Sequence, residues 1–97
     1  MMRLRFTKRT LADLEEVAAV SVAEFGAEVA HRTMRRVDEA AQGLLAYPER
    51  GRPGRRRGTR ELVVPSTPFI IAYRVTSDSV DVLAVLHGAR RWPRRFD

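Results

Sequence analysis

His87 closes the apolar run from Val80 to Leu86 and is followed by Gly88-Ala-Arg-Arg-Trp-Pro93. A histidine at a strand end beside arginines is suited to general acid or base work, because its unperturbed pKa lies near ~6.5. No second catalytic partner is fixed by spacing, so a structural histidine donating to a backbone carbonyl is an equal reading. Arg74 stands inside the run Phe69-Ile-Ile-Ala-Tyr-Arg-Val75. An unpaired arginine is costly to bury there, so Arg74 must meet a carboxylate or open into a cleft. Glu61, beside Arg60, reads as a salt-bridge partner before it reads as a base. Tyr73 reads as a core residue whose hydroxyl reaches the sheet edge. Trp92 could stack on a base, but packing of the C-terminal segment over the sheet is the simpler role.

The basic residues are unevenly placed. Residues 1–49 hold seven basic and eight acidic groups, whereas residues 50–97 hold eleven basic and four acidic groups. Arg50, Arg52, Arg55, Arg56, Arg57 and Arg60 form one cluster, and Arg90, Arg91, Arg94 and Arg95 form a second. This asymmetry points to an anionic partner: a nucleic acid, an acidic protein or a ribosome-like surface. Solvated loop arginines are the plainer alternative, and the chain does prefer arginine to lysine throughout.

Composition excludes several classes. There is no cysteine and only His31 and His87 among histidines, so neither a disulfide, a thiolate site nor a histidine metal centre is expected. No cofactor is implied. There is no glycine-rich phosphate loop ending in Lys-Ser/Thr, no Gly-x-Ser-x-Gly elbow and no His-x-x-x-His pair. No apolar run approaches the ~20 residues of a membrane span, and Met-Met-Arg-Leu-Arg-Phe lacks the core of a signal peptide. A cytoplasmic protein without membrane partners is expected. The length suits one domain, residues 1–97, able to bury a core without staples.

The elements that must position these residues follow from periodicity. Leu4 and Phe6 alternate with Arg3, Arg5 and Thr7 as in a short strand. Thr10 and Asp13 imitate a capping box that opens a first helix. Leu11, Leu14, Ala18, Val22 and Phe25 form its apolar stripe, and Gly26 ends it. A second helix runs from about Ala27 to Tyr47, with Ala30, Met34, Val37, Ala41, Leu44 and Leu45 as its stripe and Pro48 as its stop. One glycine between them implies an antiparallel helical hairpin. Pro48 to Gly58, rich in glycine, proline and arginine, is a loop. Strands follow at 61–64, 69–75 and 80–87, with turns at 65–68 and 76–79. The near-continuous apolar character of the last two predicts central strands covered on much of both faces. The order is β-α-α-β-β-β, an α+β fold with the hairpin on one face of a mostly antiparallel four-stranded sheet.

Three stretches taken in order resemble the RelE/ParE superfamily of type II toxin–antitoxin toxins. They are Tyr47-Pro-Glu-Arg-Gly-Arg-Pro-Gly54, then Gly58-Thr-Arg-Glu-Leu-Val-Val64 with Pro68-Phe-Ile-Ile-Ala-Tyr-Arg-Val75, then Val82-Leu-Ala-Val-Leu-His-Gly-Ala-Arg-Arg-Trp92. The resemblance implies the same fold and an acidic antitoxin as partner, to which the basic second half is electrostatically matched. It also implies one of two activities. RelE-like members cut messenger RNA on the ribosome without a metal; ParE-like members poison DNA gyrase. In a RelE-like nuclease His87 would be acid or base, and Arg60, Arg74 and Arg90 would hold phosphates. Such nucleases usually carry an arginine early in the strand where this chain has Ile70, and Leu86-His-Gly-Ala-Arg90 looks more like the ParE branch. The ParE-like reading is therefore favoured. Arg52, Arg55, Arg56, Arg57, Arg91 and Trp92 are its candidate contacts with target or antitoxin. A plain basic nucleic-acid-binding module is the third reading, with only Trp92 and Phe96 to interleave with arginines.

Overall fold

The computed structural model describes residues 2–96, so Met1 and Asp97 lie outside the described residues. The chain runs β1 (Arg3–Phe6), α1 (Lys8–Phe25), α2 (Ala27–Gly43), β2 (Arg52–Pro53), β3 (Arg60–Val63), β4 (Phe69–Val75) and β5 (Ser79–His87). The strands form one sheet in the order β1-β5-β4-β3-β2. β1 lies parallel to β5, and every other pairing is antiparallel. The α+β hairpin-on-sheet architecture holds, but the sheet has five strands rather than four. The additional strand is Arg52–Pro53, inside the stretch read as loop. It pairs with β3, Arg52 lying opposite Glu61 in register. Two residues carry no period from which a strand could be read.

The N-terminus of α1 also differs from expectation. Thr7 is the cap, extended at φ −72° and ψ 164°, and its hydroxyl oxygen accepts from the Thr10 amide at 3.1 Å. Thr10 and Asp13 serve the sheet instead. β5 outruns β1, whose pairing ends at Val82, and the exposed backbone edge must be satisfied. A bulge helps create the demand: Ala72 pairs with Ala84 but Tyr73 with Val82, leaving Leu83 as the extra residue. The Thr10 hydroxyl donates to the Val82 carbonyl at 2.7 Å, and the Thr7 hydroxyl to the Leu83 carbonyl at 3.2 Å. The Asp13 carboxylate then accepts from the Val85 amide at 3.0 Å. The first turns of α1 thus continue the edge that β1 leaves bare.

This docking rotates α1 away from its most apolar stripe. Its buried residues are Thr10, Val17 and Ser21, with Leu14 half-buried, whereas Leu11, Val22 and Phe25 are 51%, 49% and 64% exposed. The expected stripe is corrected accordingly, Leu14 being its member that packs on the core. In α2 the stripe holds: Ala30, Val37 and Ala41 are buried, and Leu44 follows them into the core. The helix ends at Gly43 rather than Tyr47, where Leu44 and Leu45 tighten into bonds to Ala41 and Gln42. Gly26, at φ 88°, makes the turn between the helices with a conformation that side chains disfavour.

The helix-facing side of the sheet presents Ile71, Tyr73, Val80, Val82 and Val85 to Val17, Val37, Ala41 and Leu44. On the other side Ile70, Ala72 and Ala84 are also buried, so the central strands are covered on both faces as expected. The loop after β2 and the segment after β5 provide that second cover. Gly88 lies so close to Ile70 that an added Cβ would stand 3.0 Å from its Cδ1.

Candidate functional site

The arginine-rich loop is anchored at both ends by buried polar groups of the sheet. Tyr73, fully buried, donates its hydroxyl proton to the Pro48 carbonyl at 2.7 Å and accepts from the Gly51 amide at 2.8 Å. Burial raises the Tyr73 pKa above its ordinary 10.0, against the opposing pull of the Gly51 amide and the Arg60 and Arg50 charges. The phenol therefore stays protonated and keeps its donor. Arg60 Nη1 reaches back to the Gly51 carbonyl at 2.8 Å. Gly51 has no space for a side chain, since a Cβ would stand 2.6 Å from the Tyr73 oxygen.

The second anchor is Glu61, only 3% exposed. One carboxylate oxygen takes Arg52 Nη2 at 3.1 Å; the other takes the Arg55 amide at 2.7 Å and lies 3.7 Å from Arg55 Nε. Glu61 is the ion-pair partner anticipated, with its capacity filled. The Arg55 guanidinium in turn covers the Trp92 ring at 3.8 Å. Trp92 Nε1 donates to the His87 carbonyl at 3.3 Å, and the ring meets Phe96 edge-on. Arg56 donates from Nε and Nη2 to the Pro93 carbonyl at 3.1 and 2.6 Å. Loop and C-terminal segment are one cross-linked surface, and Trp92 packs as expected.

The four residues named for a nuclease do not converge. His87 stands edge-on to Phe69, and its Nδ1 accepts from the Ala89 amide at 3.1 Å. It shares with Arg90 a groove of about 480 Å³ between α1 and the end of β5. Arg74 opens instead into a separate cleft of about 670 Å³ on the opposite face of the sheet. Its register neighbour Asp81 is engaged by Arg5 at 3.7 Å and by the Ser79 hydroxyl at 2.9 Å. Arg60 lines neither space and is held by backbone carbonyls.

Of the candidate contacts, Arg52 and Arg55 are bound to Glu61 and Arg56 to Pro93, while Arg57 and Arg91 are exposed. Arg57 and Arg56 line the Arg74 cleft together with Lys8, Arg9, Arg94 and Arg95. Lys8 and Arg9 were not anticipated at a site, because only the parallel pairing of β1 with β5 brings them there. Among the described residues no cluster of three or more His, Cys, Asp or Glu could hold a metal, and no helix is long and apolar enough to cross a membrane.

Residues 4–92 match the family model described as the ParE toxin of the type II toxin–antitoxin system parDE. The chain is 40% identical over 92 residues to "Putative toxin Y4kP" of Sinorhizobium fredii, covering 95% of this chain and 94% of that protein. It is 34% identical over 90 residues to Toxin RelE2 of Caulobacter vibrioides, covering 93% and 99%. A solved structure of the chromosomal ParDE system from P. aeruginosa superposes with a TM-score of 0.80 at 29% identity, over 88% of this chain and 94% of that one. The chain belongs to the ParE toxin family. It is the toxin of a type II toxin–antitoxin system, and an antitoxin is its partner.

Proposed function

We propose that this toxin arrests growth by poisoning DNA gyrase rather than by cutting messenger RNA. The observation that carries the reading is that His87 and Arg90 share one groove, Arg74 opens into a cleft on the opposite face of the sheet and Arg60 lines neither. Metal-free cleavage of a phosphodiester needs an acid or base and fixed cations within hydrogen-bond reach of one phosphate. Here the sheet lies between His87 and Arg74, and Arg60 is held by the loop backbone. A poison that works by binding requires no such convergence.

The antitoxin, on the same reading, seats an acidic amphipathic segment in the groove between α1 and the end of β5. Val20, Phe25, Val29 and Phe69 offer it apolar contact; Arg90 and Arg91 offer positive charge at the β5 end, while Glu16 and Glu24 on α1 require the segment to keep its acidic residues at that end. The exposure of Phe25 in the lining of this groove fits a surface that is covered in the complex.

The test is induction of the toxin alone, with mapping of messenger RNA 5′ ends and a purified gyrase cleavage assay. Intact messages and accumulation of gyrase-linked DNA breaks are expected. Codon-phased cuts that vanish in His87→Ala would overturn the reading and place this chain with ribosome-dependent nucleases.

A further inference from the structure

The cleft around Arg74 is not the groove proposed to seat the antitoxin, and its lining is unusual in chemistry. Lys8 and Arg9 come from the start of α1, Arg56 and Arg57 from the loop before β3, Arg74 from β4, and Arg94 and Arg95 from the C-terminal segment. Among the described residues no carboxylate lines it. Among the described residues, Lys8, Arg56, Arg57, Arg74, Arg94 and Arg95 have no acidic group within the 4.0 Å of an ion pair, and Arg9 alone meets one, Asp13 at 3.5 Å. Arg9 Nε is also buried without a hydrogen-bond partner. Elsewhere the chain pairs its arginines along helices, as in Arg32 with Glu28 and Arg35 with Glu39.

From this we infer that the cleft is a binding site for the phosphate backbone of duplex DNA, contacted directly by the toxin. Cations drawn from separate segments repel one another when the cleft is empty, and an extended row of anions removes that repulsion. Guanidinium groups suit phosphate oxygens by their forked donors. The lining also argues against the other polyanions. Among the described residues Leu83 and Phe96 are its only large apolar side chains, too few to anchor an amphipathic peptide. Single-stranded RNA is held largely by stacking of bases on aromatic rings, and among the described residues Phe96 is the only ring that lines the cleft. A duplex offers its phosphates without needing such a platform.

This inference does not depend on the gyrase reading. It is tested by fluorescence anisotropy of purified toxin with a labelled mixed-sequence DNA duplex, a single-stranded RNA of equal length and a poly-glutamate peptide, across a salt series. Arg57→Gln and Arg74→Gln are compared separately and together, with Arg35→Gln on the far side of α2 as control. Duplex binding is expected to weaken about tenfold in the double variant and its log–log salt slope to fall by ~1–2, since each phosphate left without its cation lowers the slope by about 0.9. The control should match the parent. All three substitutions change exposed side chains, so the melting temperatures should coincide and verify folding. Equal weakening in Arg35→Gln, no measurable duplex binding at low salt, or tighter binding of RNA or poly-glutamate than of duplex would each overturn the proposal.

Discussion

Replacing Tyr73 by phenylalanine removes one oxygen atom from the inside of the protein and leaves its ring in place. That oxygen serves two backbone groups, donating to the Pro48 carbonyl at 2.7 Å and accepting from the Gly51 amide at 2.8 Å. Gly51 is buried, so its amide has no access to water once the hydroxyl is gone, at a cost of about 1–3 kcal/mol. Pro48 is half-buried and can be hydrated, so its share is the net worth of one hydrogen bond, about 0.5–1.5 kcal/mol. The sum, about 1.5–4.5 kcal/mol, is a large part of the ~5–15 kcal/mol that holds a small domain folded. At about 4–8 °C per kcal/mol for a chain of this size, even the lower bound moves the melting temperature by roughly 6–12 °C. The assay is thermal unfolding followed by circular dichroism, with hydrogen exchange at Gly51. Tyr47→Phe, at a ring 64% exposed, is the control and should change nothing. A melting shift below about 2 °C with Gly51 still protected would refute the claim that this hydroxyl anchors the arginine loop.

Burial raises the Tyr73 pKa, so the unfolded chain ionises first as pH climbs past 10.0; stability contributed by the protonated phenol is full below that value and is lost as pH rises through the folded pKa. Urea titrations from pH 8 upward should show this alkaline decline in the parent and a shallower one in Tyr73→Phe. Leu44→Ala, at a fully buried site, should cost ~2–5 kcal/mol, whereas Leu11→Ala on the exposed side of α1 should stay within ~0.5 kcal/mol; equal effects in denaturant melts would mean that the helix face is misassigned. Thr10→Val should cost about 0.5–1.5 kcal/mol by removing one of two donors to the Val82 carbonyl, the Thr7 amide at 3.2 Å remaining, read by the same melts. Gly51→Ala forces a Cβ onto the Tyr73 oxygen and the Glu61 carbonyl, and should cost about 1–3 kcal/mol by overpacking.

The strands that form the middle of the sheet were readable because their apolar runs are long and bounded by turn residues. α2 was readable because its stripe matches one buried face. α1 was not, and the reason is polar. Its orientation is decided by carbonyls and an amide on the free edge of β5, which select Thr7, Thr10 and Asp13 and leave Leu11, Val22 and Phe25 outside. A periodicity argument counts apolar residues and has no access to a bulge in a strand more than sixty positions away. The same limit hid the cationic cleft. Arg56 and Arg57 were visible as a cluster and Arg94 and Arg95 as another. Their meeting with Lys8, Arg9 and Arg74 depends on the β1–β5 pairing and on a tail that folds back across the sheet. The dispersal of the nuclease candidates was hidden for the same cause, since strand-end and mid-strand residues can face either space.

Arginine content alone would have misjudged the loop. Arg52 and Arg55 bind Glu61, Arg56 binds the Pro93 carbonyl, Arg60 binds the Gly51 carbonyl and Arg50 covers the Tyr47 ring. Counted as free donors, few remain. Counted as charges, most do, because a carbonyl or an aromatic ring orients a guanidinium without neutralising it, and Glu61 is the only carboxylate in the set. These bonds therefore fix the loop in place while leaving its positive field directed outward. A flexible arginine loop would lose side-chain entropy on meeting an anionic surface. This one has already lost much of it on folding, through Tyr73 and Glu61. The loop's contribution to binding should accordingly be carried by Arg57, whose donors have no protein partner among the described residues, and by the fixed charges around it.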